Sequence, residues 1–243
     1  MNEASQENPI CVKCGAFDKC ASPFMQGFFI NEDGEGFISM EPDNNPKEGY
    51  ILVIGNYPSS EADQKGSLWV KGDDLRIIYR VLKEEGLSHR TFYVPGFRCR
   101  PNTVNQETGE LEPEKLGKPA LKRCFGHMVQ PYIDKLNVTA VIAMGPLGTF
   151  AAIGRLDYWN LVGRAYRYSE KEIPVYAAWH RDHIRINPDR LGREWVSQLK
   201  SIAEKIKTES FAKQEHINRD YVLAMRPEQI REWFEPVRES SWP

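Results

Sequence analysis

The chain alternates between continuous apolar runs and polar, turn-rich stretches. "YILVIG" (50–55) is apolar up to its glycine, as expected of a strand buried on both faces of a sheet. "TFYVPGF" (91–97), "TAVIAMG" (139–145) and "IPVYAAWH" (173–180) read the same way. Between these runs the period changes to that of a helix. Leu75, Ile78, Val81 and Leu82 share one face of 73–86, with Asp73 or Asp74 at its start and Gly86 at its end. Residues 118–136 predict a helix with a break near Pro131, and 146–154 a short helix ending at Gly154. Trp195, Leu199, Ile202 and Ile206 mark an amphipathic helix over 192–207.

Strands and helices in alternation predict an α/β fold. The expected form is a three-layer α/β/α domain around a central four-stranded parallel sheet. Residues 24–48, rich in Gly, Asp, Asn and Pro, read as a hairpin or long excursion, and 101–118 as a polar loop. No internal repeat is visible. The domain is expected to span 1–208, followed by a helical extension over 209–243 with a helix beginning near Pro227.

Open parallel sheets bind ligands beyond the carboxyl ends of their strands. Those ends carry "GNYPSSEAD", "FRCRPN", "GPLG" and "HRDH", so four segments are expected to converge on one cleft. The last is the most polar. His180, Arg181, Asp182, His183 and Arg185 follow directly on six apolar residues.

Composition narrows the function classes. A length of 243 residues with 41% hydrophobic residues suits one sizeable α/β domain with extra segments. The net charge of −2 supplies no global positive field for nucleic acid. The charge is uneven: residues 1–48 hold nine acidic and three basic residues, leaving 25 acidic and 29 basic for the rest. The sequence has no run of eighteen apolar residues, and "MNEASQENPI" lacks the basic and apolar blocks of a secretory signal. A cytoplasmic protein without a membrane span is therefore expected. The five cysteines, at 11, 14, 20, 99 and 124, are then expected to be ligands or free thiols rather than disulfides. Cys11 and Cys14 form a C-x-x-C pair that can grip one metal or cluster. Spacing alone leaves zinc, an iron–sulfur cluster and unrelated thiols all open.

Read in order, six segments resemble the uracil-DNA glycosylase superfamily, in particular its iron–sulfur type (family 4). They are "CVKC" (11–14), "GNYPS" (55–59), "FRCRPN" (97–102), "RCFGHMVQPYI" (123–133), "VIAMG" (141–145) and "YAAWHRDHIRINP" (176–188). The resemblance spans residues 11–207. It implies a structural [4Fe–4S] cluster on Cys11, Cys14, Cys99 and Cys124. Cys20 is then an ordinary buried thiol, or a replacement for a neighbouring ligand.

The resemblance also implies base flipping into a pocket and hydrolysis of the N-glycosidic bond. His180 matches the family's histidine and would donate to the departing base as its charge builds; the plainer role is a cap on its strand. Asn56 stands where the iron–sulfur type has Glu. It cannot be a general base, but its carbonyl can orient a water. Alternatively a carboxylate such as Asp182, Glu61 or Asp63 takes over, and Asn56 is a turn residue. Trp69 falls where the family stacks a Phe on the base, with core packing as the alternative. Gly55, Tyr57, Pro58 and Ser59 complete the first-loop wall. Lys65, Arg100 and Arg185 are expected on the DNA.

Departures from the family pattern point to a different base. Pro95 occupies the place of an Asn that pairs with the uracil edge, and proline has no donor. Ser59 leaves space beside C5 of a pyrimidine. Arg181, Asp182 and His183 add polar groups that plain uracil does not need, although Arg181 and Arg185 fit phosphate contact equally well. Lys65 and Lys71 are expected to be solvated or to touch phosphate, so no lyase step is assigned. The expectation is a monomeric, monofunctional DNA glycosylase for a modified pyrimidine. Glucosylated 5-hydroxymethylcytosine of phage DNA is the example, with antiviral defence as the role. The alternatives are a uracil-DNA glycosylase of base excision repair, a catalytically inactive DNA- or polymerase-binding accessory module, and a zinc-bound fold.

Overall fold

A computed structural model describes residues 9–14, 16–22, 25, 27–30, 37–38, 46–66, 74–109, 111–114, 117–155, 157–168, 172–180, 184 and 188–208. The chain divides into two units, Met1–Thr208 and Glu209–Pro243. The second, with the helix expected near Pro227, lies outside the described residues.

Four apolar runs form the centre of the sheet: β3 (Tyr50–Gly55), β4 (Thr91–Pro95), β7 (Val138–Met144) and β9 (Ile173–Ala178). They lie side by side in the order β4-β3-β7-β9, each parallel to its neighbour. Leu52, Ile54, Val94, Val141, Ala143 and Val175 pack on one face against Val129, Ile133, Ala151 and Ala152. The alternate residues Ile51, Val53, Tyr93 and Ile142 point to the opposite face and are equally buried. Burial on both faces is why these strands read as continuous apolar runs.

The whole sheet differs from the expectation of four parallel strands. It is mixed and seven-stranded, in the order β2-β1-β4-β3-β7-β9-β8. β1 (Phe28–Ile30) runs antiparallel to β4, and β2 (Phe37–Ile38) antiparallel to β1. β8 (Ala165–Tyr168) runs antiparallel to β9. The added strands are short or only half-buried, so they carry no long apolar run. Residues 101–118, expected to be loop, contain a separate hairpin of β5 (Asn102–Val104) and β6 (Leu111–Pro113).

The helices are α1 (Pro9–Cys14), α2 (Ser60–Lys65), α3 (Asp74–Glu84), α4 (Lys118–Met128), α5 (Gln130–Lys135), α6 (Gly145–Ile153), α7 (Tyr158–Leu161) and α8 (Pro188–Lys207). The break between α4 and α5 falls at Val129, not at Pro131. Pro131 sits in the first turn of α5, where a helix has no use for its N–H. α8 starts at Pro188, earlier than its apolar stripe, for the same reason. α8 packs on α3 and β9, and α6 on β3, β7 and β9. No helix among the described residues is long and apolar enough to cross a membrane.

Candidate functional site

The strand register brings four carboxyl ends level. Gly55 pairs with Pro95, Ile54 with Ala143, and Met144 with Ala178. A cleft of about 440 Å³, open solvent included, lies beyond them. Gly55, Asn56, Tyr57, Pro58 and Ser59 form one wall, and Pro95, Met144 and His180 close the strand side. Leu75 and Ile78 of α3 supply an apolar flank.

Gly145 is the junction of this site. Its φ is +68°, and a Cβ on it would stand 2.8 Å from the His180 Cβ and 2.9 Å from both terminal atoms of the Asn56 amide. Only glycine lets the first-strand loop and the fourth-strand end meet across the third strand. Asn56 Oδ1 accepts the Leu147 N–H at 3.0 Å, which satisfies a donor of the first turn of α6. That bond uses one lone pair of the carbonyl; the oxygen has two.

His180 is half-buried, and the end of its strand is held by side chains from α7 and α8. Tyr158 is 2% exposed. Its hydroxyl donates to the Ala178 carbonyl at 3.1 Å, and its oxygen accepts the backbone N–H of His180. Burial pushes the phenol well above its ordinary range, so it stays protonated as a donor. Gln198 of α8 accepts the Trp179 N–H at 3.0 Å. Neither Tyr158 nor Gln198 belongs to a motif; their roles exist only once β9, α7 and α8 are folded together.

The expected site residues divide. Asn56, His180, Pro95, Gly55, Tyr57, Pro58 and Ser59 share the cleft. Ser59 is also an N-cap: its Oγ accepts the Ala62 N–H at 3.1 Å. The Tyr57 hydroxyl donates to the Glu114 carbonyl at 3.2 Å, and its ring lies edge-on to Phe97. Arg100 donates to the Pro58 carbonyl at 3.1 Å and braces that loop from behind. Lys65 is exposed and paired with Glu61 at 2.5 Å. Trp69, Lys71, Arg181, Asp182, His183 and Arg185 lie outside the described residues.

The two described carboxylates considered as substitutes for the family's Glu do not line the cleft. Glu61 is the partner of Lys65. Asp63 is only 2% exposed, and its carboxylate accepts from the Ala21 N–H, the Ser22 N–H and Asn102 Nδ2 at 3.1, 2.9 and 3.2 Å. It is a structural clasp between α2, the turn at Cys20 and β5.

The cysteines gather beneath the first loop. Cys99 is buried with Ala16, Phe97, Leu121 and Phe150, and Cys14, Cys20 and Cys124 pack against this group. Cys11 stands near Cys14 and Cys99. All five are free. Burial pushes the Cys11 thiol up and the Cys124 thiol up to about 12. Cys20 is pushed up chiefly by its hydrogen bond with Cys99.

Arg98, only 7% exposed, lies close enough to Cys11 and Cys124 to oppose part of this shift, and its backbone N–H donates to the Cys124 sulfur. Its Nε donates to the Met25 carbonyl. Among the described residues, no three or more His, Cys, Asp or Glu are arranged to hold a metal ion. The thiols are nevertheless neighbours in an apolar shell beside a buried cation. That is a suitable donor set for a thiolate-ligated centre, because negative sulfurs are what a buried guanidinium favours.

The chain matches no protein-family model and no curated protein.

Proposed function

We propose that this chain is a monofunctional DNA glycosylase of the iron–sulfur type within the uracil-DNA glycosylase superfamily, acting on a modified pyrimidine. The observation that carries this reading is the meeting of Asn56 and His180 across Gly145, at the carboxyl ends of parallel strands and beside the clustered cysteines. Six segments of the sequence lead to the same superfamily in the same order.

In this reading the target base leaves the duplex and enters the cleft. His180 donates a hydrogen bond to the base as the glycosidic bond breaks and negative charge develops on it. Tyr158 keeps His180 in position through the strand end. The free lone pair of Asn56 Oδ1 orients the water that attacks C1′. Cys11, Cys14, Cys99 and Cys124 would hold a [4Fe–4S] cluster, whose contribution is structural. Cys20 is the thiol left over, next to Cys99.

Substrate choice follows from what the cleft lacks. Pro95 cannot donate to a pyrimidine edge, and Ser59, whose oxygen accepts the Ala62 N–H as the cap of α2, presents only a small side chain to the cleft. A pocket whose second strand end supplies no donor is poorly suited to selecting uracil by hydrogen bonds. Glucosylated 5-hydroxymethylcytosine is the substrate proposed, read by Arg181, Asp182 and His183, with defence against phage as the role. The protein is proposed to act as a cytoplasmic monomer.

The test is abasic-site formation on uracil-containing DNA and on phage DNA carrying glucosylated 5-hydroxymethylcytosine, with wild type and His180→Ala. Abasic sites confined to the modified DNA and lost in the variant are the expected result. Abasic sites on uracil DNA would return the protein to base excision repair. A second reading, an inactive DNA- or polymerase-binding module, is favoured by one observation: no carboxylate lines the cleft among the described residues. It predicts binding to DNA and no abasic sites on either substrate.

A further inference from the structure

Trp159 is 63% exposed, the most exposed large hydrophobic side chain among the described residues. Tryptophan is usually mostly buried, so its setting matters. It lies on α7, beside the carboxyl end of β9. The Gly163 N–H donates to the Ala177 carbonyl at 2.8 Å, and the Tyr158 hydroxyl to the Ala178 carbonyl at 3.1 Å. These bonds tie α7 and the turn that follows it to the strand end that leads into His180. The Trp159 ring meets the Tyr158 ring edge-on, with centroids 5.2 Å apart and planes at 61°. Because Tyr158 is buried and doubly hydrogen-bonded, the exposed indole has a fixed footing.

The surrounding segment carries cations. Arg155 and Arg164 are both exposed and bracket Trp159 in sequence, and both act on Tyr166. Asp157 is the one acidic residue between them and pairs with Arg155. Exposed aromatic rings with nearby arginines are the means by which proteins hold unpaired nucleotides: bases stack on the ring and phosphates meet the cations. A lone exposed apolar side chain needs no explanation. An exposed indole packed on the tyrosine that ties α7 to the carboxyl end of β9, with exposed arginines before and after it in sequence, fits one partner well.

We infer that Trp159 is a stacking platform for an unpaired base next to the one in the cleft, on the same DNA strand, with Arg155 and Arg164 on its phosphates. The inference rests on the glycosylase reading and adds a residue that the six motifs do not contain.

The test measures binding of full-length protein to a labelled single-stranded oligothymidine, and to an oligomer of equal length made of abasic residues. Trp159→Ala is expected to bind the oligothymidine about tenfold more weakly, as for the loss of one base stack. Trp159→Phe should retain most of the affinity. On the abasic oligomer the wild type and Trp159→Ala should bind alike, because no base is there to stack. Equal melting temperatures would show that the truncation leaves the fold intact. Oligothymidine binding by Trp159→Ala at wild-type strength would overturn the inference and leave the glycosylase reading standing. So would an equal loss on both oligomers, which would assign Trp159 a structural or phosphate-side role. No binding of either oligomer by the wild type, together with no abasic sites on any DNA, would overturn both readings.

Discussion

Gly145 and His180 are in such close contact that a single added methyl group would stand 2.8 Å from the His180 Cβ. The same methyl would meet the Asn56 amide at 2.9 Å, and the backbone there is left-handed at φ +68°. Gly145→Ala is therefore expected to cost about 1–3 kcal/mol for the strained conformation. It should also abolish abasic-site formation by separating Asn56 from His180. Urea unfolding and the glycosylase assay on one preparation check both parts. Full activity in a stable Gly145→Ala protein would mean that the two residues need not meet.

Tyr158→Phe removes one oxygen and leaves the ring in place. The Ala178 carbonyl and the His180 N–H then lose their partner in a buried site. A loss of about 1–3 kcal/mol is expected. Activity should fall in kcat more than in KM, since a displaced His180 affects the departing base more than DNA binding. An unchanged kcat would remove Tyr158 from the account of His180.

Asp63 ties α2 to the Cys20 turn with two hydrogen bonds and to β5 with a third. Asp63→Ala strands those donors and is expected to cost about 3 kcal/mol, in the range for bonds to a charged acceptor. The same change should lower the metal content of purified protein, because the turn lies beside Cys99. Asp63→Asn, which keeps an acceptor, should do both to a smaller degree. Thermal unfolding and iron analysis decide the matter.

The thiols themselves give a sharper prediction. Ser at Cys11, Cys14, Cys99 or Cys124 is expected to abolish brown colour and iron content, and to lower stability with them. Ser at Cys20 should leave both near wild type. Iron retained in Cys11→Ser but lost in Cys20→Ser would exchange the two ligands. Zinc in the wild-type protein would replace the cluster with a Cys-ligated ion.

Alkali should unfold the protein through its tyrosines. Burial raises Tyr50, Tyr93, Tyr158, Tyr166, Tyr168 and Tyr176 above 10, with Tyr176 up to about 12. Their folded-state pKa lies above the unfolded one, so the unfolded chain loses these protons first. Stability is present below about pH 10 and falls as pH climbs toward 12. Phenolate absorbance followed against far-ultraviolet circular dichroism should show these groups ionising together with unfolding. Their ionisation in the intact fold at pH 10 would contradict the burial.

The order of strands and helices was legible in the chain, because burial on both faces leaves an uninterrupted apolar run. So was the meeting of "GNYPS", the second-strand end and His180, since parallel strands must end on one side. The sequence by itself thus determined that the ends of the parallel strands lie on one side of the sheet, whereas the packing of Cys14, Cys20 and Cys124 around Cys99 is seen only in the fold. Three further matters were decided only by tertiary structure. The outer strands β1, β2 and β8 span two to four residues each, too short an apolar pattern to be seen locally. Tyr158 and Gln198 acquire their roles from hydrogen bonds to backbone groups distant in sequence, which no pattern of side chains encodes. Asp63 could be read as a spare catalytic carboxylate until its three donors were in view; a side chain's partners, and hence its chemistry, depend on which way its helix turns it.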